Sequence, residues 1–522
     1  MKYLKPVRVG VSLLFFVVTA LLFLDFIGVV TPQFMNGVTY LQFLPSLIKF
    51  LSVAGILTAG FAIVLVVTII FGRVYCSSIC PLGTLQDVFT FVSRKLNRKR
   101  VLKRAKRYDL VRFGLLVLTV AAFVGGVTVL VTLLDPFSNT GRLFSILLRP
   151  VVVAGNNLLS GVLGKFHIYA VYPADQTSPG IPALVVAAAF FGLIAWLSFT
   201  RGRLYCNLLC PVGALLGLVS RFSLMKVAIN KGDCKGCSLC EHVCKGGCID
   251  AKARTVDFDR CVVCFNCFDI CPRGDMEFKT PWTISNSVPK VNPSRRRFVG
   301  NAAGAIAILA AIPAAVAHAA GKIVIVKKPT TIPTGSQHAV TPPGSRGIAR
   351  FNSRCTACHL CVSACPSHVL QPSFLEYGVV GILQPRMDYR SAYCNFDCTR
   401  CGEVCPSGAI LPLPQDQKKL TQIGVAKFTK ENCVVYTEGT DCGACSEHCP
   451  TKAVTMVSFK EKLVIPEVRS EFCIGCGACE HACPTRPFRA IIVEAQSVHA
   501  LAKKPPEQQI EAQPAPLEEF PF

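Results

Sequence analysis

Cysteine spacing constrains this chain more than any other feature. Three cysteines set two residues apart, with a fourth after three more, occur at Cys234, Cys237, Cys240 and Cys244 and again at Cys261, Cys264, Cys267 and Cys271. The pattern returns at Cys355, Cys358, Cys361 and Cys365 and at Cys473, Cys476, Cys479 and Cys483. Two further groups keep the last three cysteines and widen the first gap: Cys394, Cys398, Cys401 and Cys405, with three residues in it, and Cys433, Cys442, Cys445 and Cys449, with eight. Every group but the first ends in Cys-Pro; there Lys245 replaces the proline. So short a loop wraps successive corners of a 4Fe–4S cubane, while the fourth cysteine reaches the other cluster of a pair. The first two groups therefore predict cubanes on Cys234/Cys237/Cys240/Cys271 and on Cys261/Cys264/Cys267/Cys244. A zinc ribbon fits this spacing poorly. The run Cys355-Thr-Ala-Cys358-His359 also satisfies the c-type haem pattern, but Cys361 and Cys365-Pro366 complete a cluster motif around it. His359, His448 and His481 read as neighbours of ligands rather than as ligands.

The 29 cysteines leave five outside these groups. Cys248 reads as a buried or incidental thiol. The other four belong to a repeat: Gly72-Arg73-Val74-Tyr75-Cys76-x3-Cys80-Pro81-Leu82-Gly83 and Gly202-Arg203-Leu204-Tyr205-Cys206-x3-Cys210-Pro211-Val212-Gly213. Residues four apart share a helix face, so each copy presents two sulfurs together. A pseudo-twofold arrangement would bring Cys76, Cys80, Cys206 and Cys210 to one point. A further iron–sulfur centre, a dithiol redox pair and plain packing all remain open there.

Both copies follow apolar stretches. Residues are 51% hydrophobic and 16% charged, with a mean hydropathy of +0.46, against about a quarter charged in soluble domains. That excludes a single soluble domain and a disordered chain. Five stretches near 20 residues long predict membrane spans, at 9–30, 48–71, 110–134, 181–200 and 299–320, each enough for a hydrocarbon layer of about 30 Å. The net charge of +24 invites a nucleic-acid reading. However, nine basic residues with no acid lie between Arg94 and Arg107, beside spans two and three. They mark a cytoplasmic loop instead, with the N-terminus on the same side. Two copies of one unit belong at one membrane face, so an even number of crossings separates them. The interrupted segment 143–164 then reads as a surface or re-entrant piece.

Ser294-Arg295-Arg296-Arg297-Phe298 precedes an Ala-rich apolar run. This is the twin-arginine pattern of proteins exported already folded; ordinary basic flanking of a fifth span is the alternative. The expected organisation is a membrane unit at 1–223, a two-cluster ferredoxin at 224–290, signal and anchor at 291–321 and a linker at 322–348. A four-cluster domain at 349–495 and a disordered tail at 496–522 follow. The expected fold class is a polytopic α-helical membrane domain joined to α+β ferredoxin-like domains of the bacterial 4Fe–4S dicluster kind.

On these motifs, residues 1–290 resemble NapH-type quinol dehydrogenase membrane subunits, and the remainder resembles NapG/MauM-type periplasmic ferredoxins. The resemblance implies a fusion, in the bacterial inner membrane, that oxidises quinol and passes electrons through up to six 4Fe–4S clusters. The first ferredoxin would be cytoplasmic and the C-terminal domain periplasmic. Membrane lipid, the quinone pool and a periplasmic reductase or cytochrome would be its partners, and nucleic acid would not. The resemblance also implies that the first motif of the outer domain pairs with the last and the middle two pair together. The sets would be Cys355/Cys358/Cys361/Cys483, Cys473/Cys476/Cys479/Cys365, Cys394/Cys398/Cys401/Cys449 and Cys433/Cys442/Cys445/Cys405. Reverse flow into the quinone pool, or reductive activation of a partner metalloenzyme, are the competing functions. Quinol oxidation releases protons, and ionisable groups at membrane depth are functional suspects. Asp25, Asp135 and His167 are the proton-acceptor candidates, with Asp175 at the same face. No nucleotide-binding loop occurs, so terminal substrate chemistry belongs to a partner.

Overall fold

A computed structural model describes every residue except 1–2, 54, 56–57, 97–107, 176–179, 231–233, 281–338, 461 and 505–522. The basic run beyond Leu96, the twin-arginine pattern and the segment 299–320 lie outside the described residues.

The N-terminal part is helical. The long apolar helix α1 (Leu4–Leu24) is followed by α2 (Pro32–Tyr40), α3 (Phe43–Ser52) and α4 (Gly60–Phe71), then the single turn α5 (Val74–Ser78) and α6 (Pro81–Leu96). After the undescribed loop come α7 (Asp109–Val124), α8 (Val129–Leu134) and α9 (Pro136–Arg142). A π-helical turn, Leu143–Leu148, leads into α10 (Arg149–Lys165), followed by α11 (Ile181–Arg201), α12 (Leu204–Leu208) and α13 (Pro211–Ser220).

Three helices among the described residues are long and apolar enough to cross a membrane: Leu4–Leu24, Pro136–Lys165 and Ile181–Arg201. This corrects three expectations. The second expected span is broken between Ser52 and Gly60, because Gly60 packs so tightly on Tyr40 that a Cβ would lie 1.9 Å from its carbonyl oxygen. The third is broken at Gly125 and Gly126, the latter at φ +79°. Conversely, the segment expected to be a surface or re-entrant piece lies within a continuous 30-residue helix. Pro150 cannot donate a backbone hydrogen bond, and the π-turn just before it re-registers the ladder around that gap. Its polar residues bind the loop that follows: Asn156 donates to the Tyr172 carbonyl (2.9 Å), and Asn157 exchanges two 2.8 Å bonds with Ala174.

Two strands, β1 (Lys226–Ile229) and β4 (Met276–Lys279), pair antiparallel and close the first ferredoxin domain, with the hairpin β2 (Ile249–Asp250)–β3 (Thr255–Val256) between its two motifs. The C-terminal domain uses the plan twice. The hairpin β5 (Leu370–Pro372)–β6 (Pro385–Met387) separates its first two motifs. The hairpin β8 (Val454–Ser458)–β9 (Val464–Val468) separates the last two, inside the pair β7 (Thr421–Phe428)–β10 (Ile491–Leu501). β10 runs to Leu501 and Ala502 is buried, so the domain extends past the expected boundary at 495 into the segment read as a disordered tail. Val340, Thr341 and Ser345 are also buried, and Gly344 accepts from Leu411, so the end of the expected linker belongs to the domain too.

Both ferredoxin parts pack on the helical part. Leu22, Phe23, Met35, Phe137 and Phe144 share one core with Phe351, Leu360 and Val404 of the C-terminal domain. Arg400 donates to the Val30 carbonyl (3.0 Å), Asn36 to Glu403 (2.8 Å) and Thr128 to Asn352 (2.7 Å). On the other side, Leu224 and Met225 donate to Ile69 and Ile70 at the end of α4.

Candidate iron–sulfur sites

The two Gly-Arg-x-Tyr-Cys repeats build one symmetric site. Gly72 and Gly202 end α4 and α11 at φ +82° and +70°, a left-handed turn that side chains resist. There is also no room for one: a Cβ on Gly202 would lie 2.7 Å from the Lys245 carbonyl oxygen, and on Gly72 2.7 Å from the Phe258 ring. The next residue, Arg73 or Arg203, is fully buried and crosses to the other repeat. Arg73 donates to the Cys206 carbonyl (3.2 Å) and Arg203 to the Cys76 carbonyl (2.5 Å). Cys80 and Cys210 precede the prolines that start α6 and α13, where the Cys210 sulfur accepts from the Gly213 N–H (3.3 Å). The result brings Cys76, Cys80, Cys206 and Cys210 into one buried core, close enough for their thiolate charges to interact.

That core also contains Cys264 and Val262 of the first ferredoxin domain. The junction explains Lys245 in place of proline. Its ammonium reaches Asp87 at 3.0 Å, where Arg8 (2.9 Å) and Arg203 (2.7 Å) converge, and its carbonyl accepts the Arg203 N–H. A second buried carboxylate, Asp259, binds Arg221 at 2.7 Å, and its backbone carbonyl accepts from Arg73 and Arg112.

In the four regular motifs, the residues before and after the second cysteine both adopt the left-handed conformation: Gly236/Ser238, Val263/Phe265, Ala357/His359 and Gly475/Gly477. This repeated turn curls the loop around a central body. The widened motifs lack it at the corresponding residues, Asp397/Thr399 and Asp441/Gly443. The last thiol of a motif accepts a backbone N–H from downstream: Cys244 from Cys248, Cys405 from Ile410, Cys449 from Ala453 and Cys483 from Ala490, at 3.2–3.4 Å. Such donors stabilise thiolates and tune cluster potential. Cys248 is thus buried against a ligand, its sulfur 3.4 Å from that of Cys244. Among the described residues no three Cys, His, Asp or Glu groups converge closely enough to grip a single ion. Zinc would need its sulfurs about 2.3 Å from one point, whereas a cubane holds its thiolates farther apart.

A cavity of about 140 Å³ is lined by Cys234, Cys237, Cys240 and Cys271, and Cys244 lies beside Cys264 and Cys267. In the C-terminal domain the arrangement departs from the pairing the resemblance implied. Cys405 faces Cys355, Cys358 and Cys361; Cys365 lies beside Cys394 and Cys401. Cys449 lies beside Cys473, Cys476 and Cys479, while Cys483 shares a small cavity with Cys433, Cys442 and Cys445. Consecutive motifs exchange their fourth cysteines because each hairpin folds its two flanking motifs together. Closing that shorter loop also costs less chain entropy than joining first to last.

Between the four-thiol site and the C-terminal domain lies a buried polar chain. Tyr205 donates to the Leu134 carbonyl (3.0 Å), Asn139 donates to the Tyr205 hydroxyl (3.3 Å), and Arg142 binds both Asn139 and the Thr132 carbonyl. Gly141, next to Arg142, packs so close to the Cys358 carbonyl oxygen that a Cβ would lie 2.3 Å from it.

Comparison with known proteins agrees with this layout. A family model described as a 4Fe-4S binding domain matches residues 53–99 and 183–230, the two segments that hold Cys76/Cys80 and Cys206/Cys210. A 4Fe-4S dicluster domain matches 354–409, which holds the first two motifs of the C-terminal domain, and 440–486, which holds the last motif and three cysteines of the one before it. The ferredoxin-type protein NapH of Escherichia coli is 27% identical over 221 residues, 40% of this chain and 63% of that protein. The ferredoxin-type protein NapG of the same organism is 30% identical over 146 residues, 26% of this chain and 61% of that protein. A methylamine utilization ferredoxin-type protein, MauM of Methylophilus methylotrophus, is 34% identical over 152 residues, 27% and 65%. The chain is a NapH- and NapG-like iron–sulfur protein. It spans a little under two thirds of the length of each of these three relatives. No solved structure matches it. Its resemblance to these ferredoxin-type proteins goes with three described helices long and apolar enough to cross a membrane.

The three proton-acceptor candidates in this NapH/NapG-like protein occupy different settings. The Asp25 carboxylate accepts the N–H groups of Gly28, Val29 and Val30 and so anchors its own loop. Asp135 is buried and caps α9 through Ser138. His167 is exposed at the end of α10, at φ +58°. Arg149, His368 and Ser145, with Asp175, instead line a cavity at the junction with the C-terminal domain, and sequence reading passed over the first three. Only contacts across 200 residues bring them together, and no local spacing signals that.

Proposed function

We propose that this protein oxidises a membrane quinol and passes electrons along 4Fe–4S clusters to a reductase or cytochrome on the periplasmic side. The observation that carries the reading is the position of the four-thiol site. It shares a core with Cys264 on one side and meets, through Tyr205, Asn139 and Arg142, the Cys358 loop on the other. A cluster on Cys76, Cys80, Cys206 and Cys210 would join the two ferredoxin parts into one line. The remaining ligand sets are the two of the first ferredoxin domain together with Cys355/Cys358/Cys361/Cys405, Cys394/Cys398/Cys401/Cys365, Cys433/Cys442/Cys445/Cys483 and Cys473/Cys476/Cys479/Cys449. Each 4Fe–4S cluster supplies reversible one-electron storage, so one quinol gives up two protons and reduces two clusters by one electron each. Under this reading the N-terminus and the first ferredoxin domain are cytoplasmic, which the basic run from Arg94 to Arg107 supports.

The test is anaerobic titration of the purified protein with a short-chain quinol, followed by electron paramagnetic resonance. Reduced-cluster signals that appear in proportion to quinol support the reading, and clusters that only dithionite reduces overturn it. A second reading draws on Cys237, an exposed thiol at the rim of the first ferredoxin domain. There a soluble cytoplasmic carrier would deliver electrons and the flow would run toward quinone.

A further inference from the structure

The cavity noted above holds about 350 Å³, within the range of small-ligand sites. It lies where the end of α1, the π-turn with α10, and the loop ending in Asp175 meet the first cysteine motif of the C-terminal domain. Its apolar walls include Phe26, Ile27, Ile146, Pro150, Val153 and Leu370. Its polar groups fall into two sets. Arg149 and Asp175 each lie within electrostatic reach of His368. Ser145 and His359 form the other: the His359 Nε2–H donates to the Leu383 carbonyl at 2.7 Å, which leaves Nδ1 to accept from the Ser145 hydroxyl at 3.4 Å. The Ser145 oxygen is then an acceptor for a ligand hydroxyl, and the Arg149 guanidinium a donor for a ligand carbonyl. An apolar ring with oxygens that alternate between hydroxyl and carbonyl fits both sets.

The approach is also apolar. Ile27 is 75% exposed at the rim, and Val151, on the same helix as Arg149 and Val153, is 65% exposed. Val151 belongs to the apolar helix Pro136–Lys165 and Ile27 to the loop just after α1, so a hydrophobic tail has a lateral way in. Val362 and His359 line the far wall and sit between the cysteines of the first motif. A ring in this cavity therefore lies against the loop that carries Cys358 and Cys361.

We infer that this cavity binds the headgroup of a quinone or quinol, against Ser145, Arg149 and Asp175. The inference rests on the proposed quinol reading and locates its site. As the quinol O–H bonds break, the Asp175 carboxylate accepts one proton and water at the cavity mouth the other. The two electrons leave singly for two 4Fe–4S clusters.

The test uses the full chain in lipid nanodiscs and decylubiquinone as the probe, with an azido-quinone for photolabelling and peptide mapping. Label on peptides that contain Arg149–Val153 or Tyr172–Asp175, competed by decylubiquinone, is the expected result. Val153→Trp, which pushes an indole into the cavity, should weaken binding at least tenfold with iron content unchanged, while Val153→Ala should bind as well as the unaltered protein. Asp175→Asn should retain binding and slow quinol oxidation at least tenfold. Labelling confined to other peptides, or unchanged affinity in a Val153→Trp protein with full iron, overturns the site and leaves the quinol reading standing. Absence of any saturable quinone binding in the unaltered protein overturns both.

Discussion

Asp87 shows how one side chain holds three parts of the molecule together. It is the common partner of Arg8 from α1, Arg203 from the second repeat and Lys245 from the first ferredoxin domain. Removing one member of a buried ion cluster leaves the other charges uncompensated, at a cost of about 3–5 kcal/mol. Asp87→Asn should therefore lower the thermal midpoint and free the first ferredoxin domain to limited proteolysis, and a variant as protease-resistant as the original would contradict this role. His499 on β10 is a second such case. Burial beside Thr341 lowers its pKa from 6.5 to about 4. Between those values the unfolded chain binds a proton that the folded one excludes, so stability is complete above about pH 6.5 and falls as the pH drops toward 4. His499→Gln should flatten that dependence in thermal unfolding followed by circular dichroism. Neither role was legible in the sequence, where Asp87 and His499 stand apart from every motif. Lys245, which breaks the Cys-Pro rule, was the one local clue to the Asp87 junction.

Elements were legible in proportion to how local their causes are. The cluster motifs read directly, because a loop of about ten residues must itself supply the ligand geometry and the left-handed turns beside the second cysteine. The hydrophobic runs read as helices, but their ends did not. The close approach of Gly60 to Tyr40 and the turn at Gly126 depend on packing, and the π-turn before Pro150 converts an apparently interrupted segment into a 30-residue helix. The fourth ligands were the least legible, since thiol exchange between motifs is set by which hairpin folds where. That exchange has a direct test at this scale. Cys442 and Cys483 share one site here and would belong to two under the first-with-last pairing. The double replacement Cys442→Ala/Cys483→Ala should cost about four irons per chain, one cubane. Loss of about eight would favour the other pairing.

At the scale of the whole molecule, two ferredoxin-like parts pack on opposite ends of one helical unit, and the twofold four-thiol site lies between them. The sequence left the path between the two ferredoxin parts without an account, because only the fold brings Cys264 and Cys206 into one core and packs Gly141, beside Arg142, on the Cys358 loop. Replacing Cys76, Cys80, Cys206 and Cys210 by serine should remove about four irons. The clusters of the C-terminal domain should remain, but a reductant that acts on the first ferredoxin domain should no longer reduce them. The broadest claim is that these thiolates hold inorganic cubanes at all. Iron, acid-labile sulfide and zinc, quantified together on protein purified without oxygen, test it most directly. Seven cubanes predict about 28 irons and an equal amount of sulfide per chain, with no stoichiometric zinc. A preparation free of sulfide, with zinc on the cysteine motifs, would contradict it.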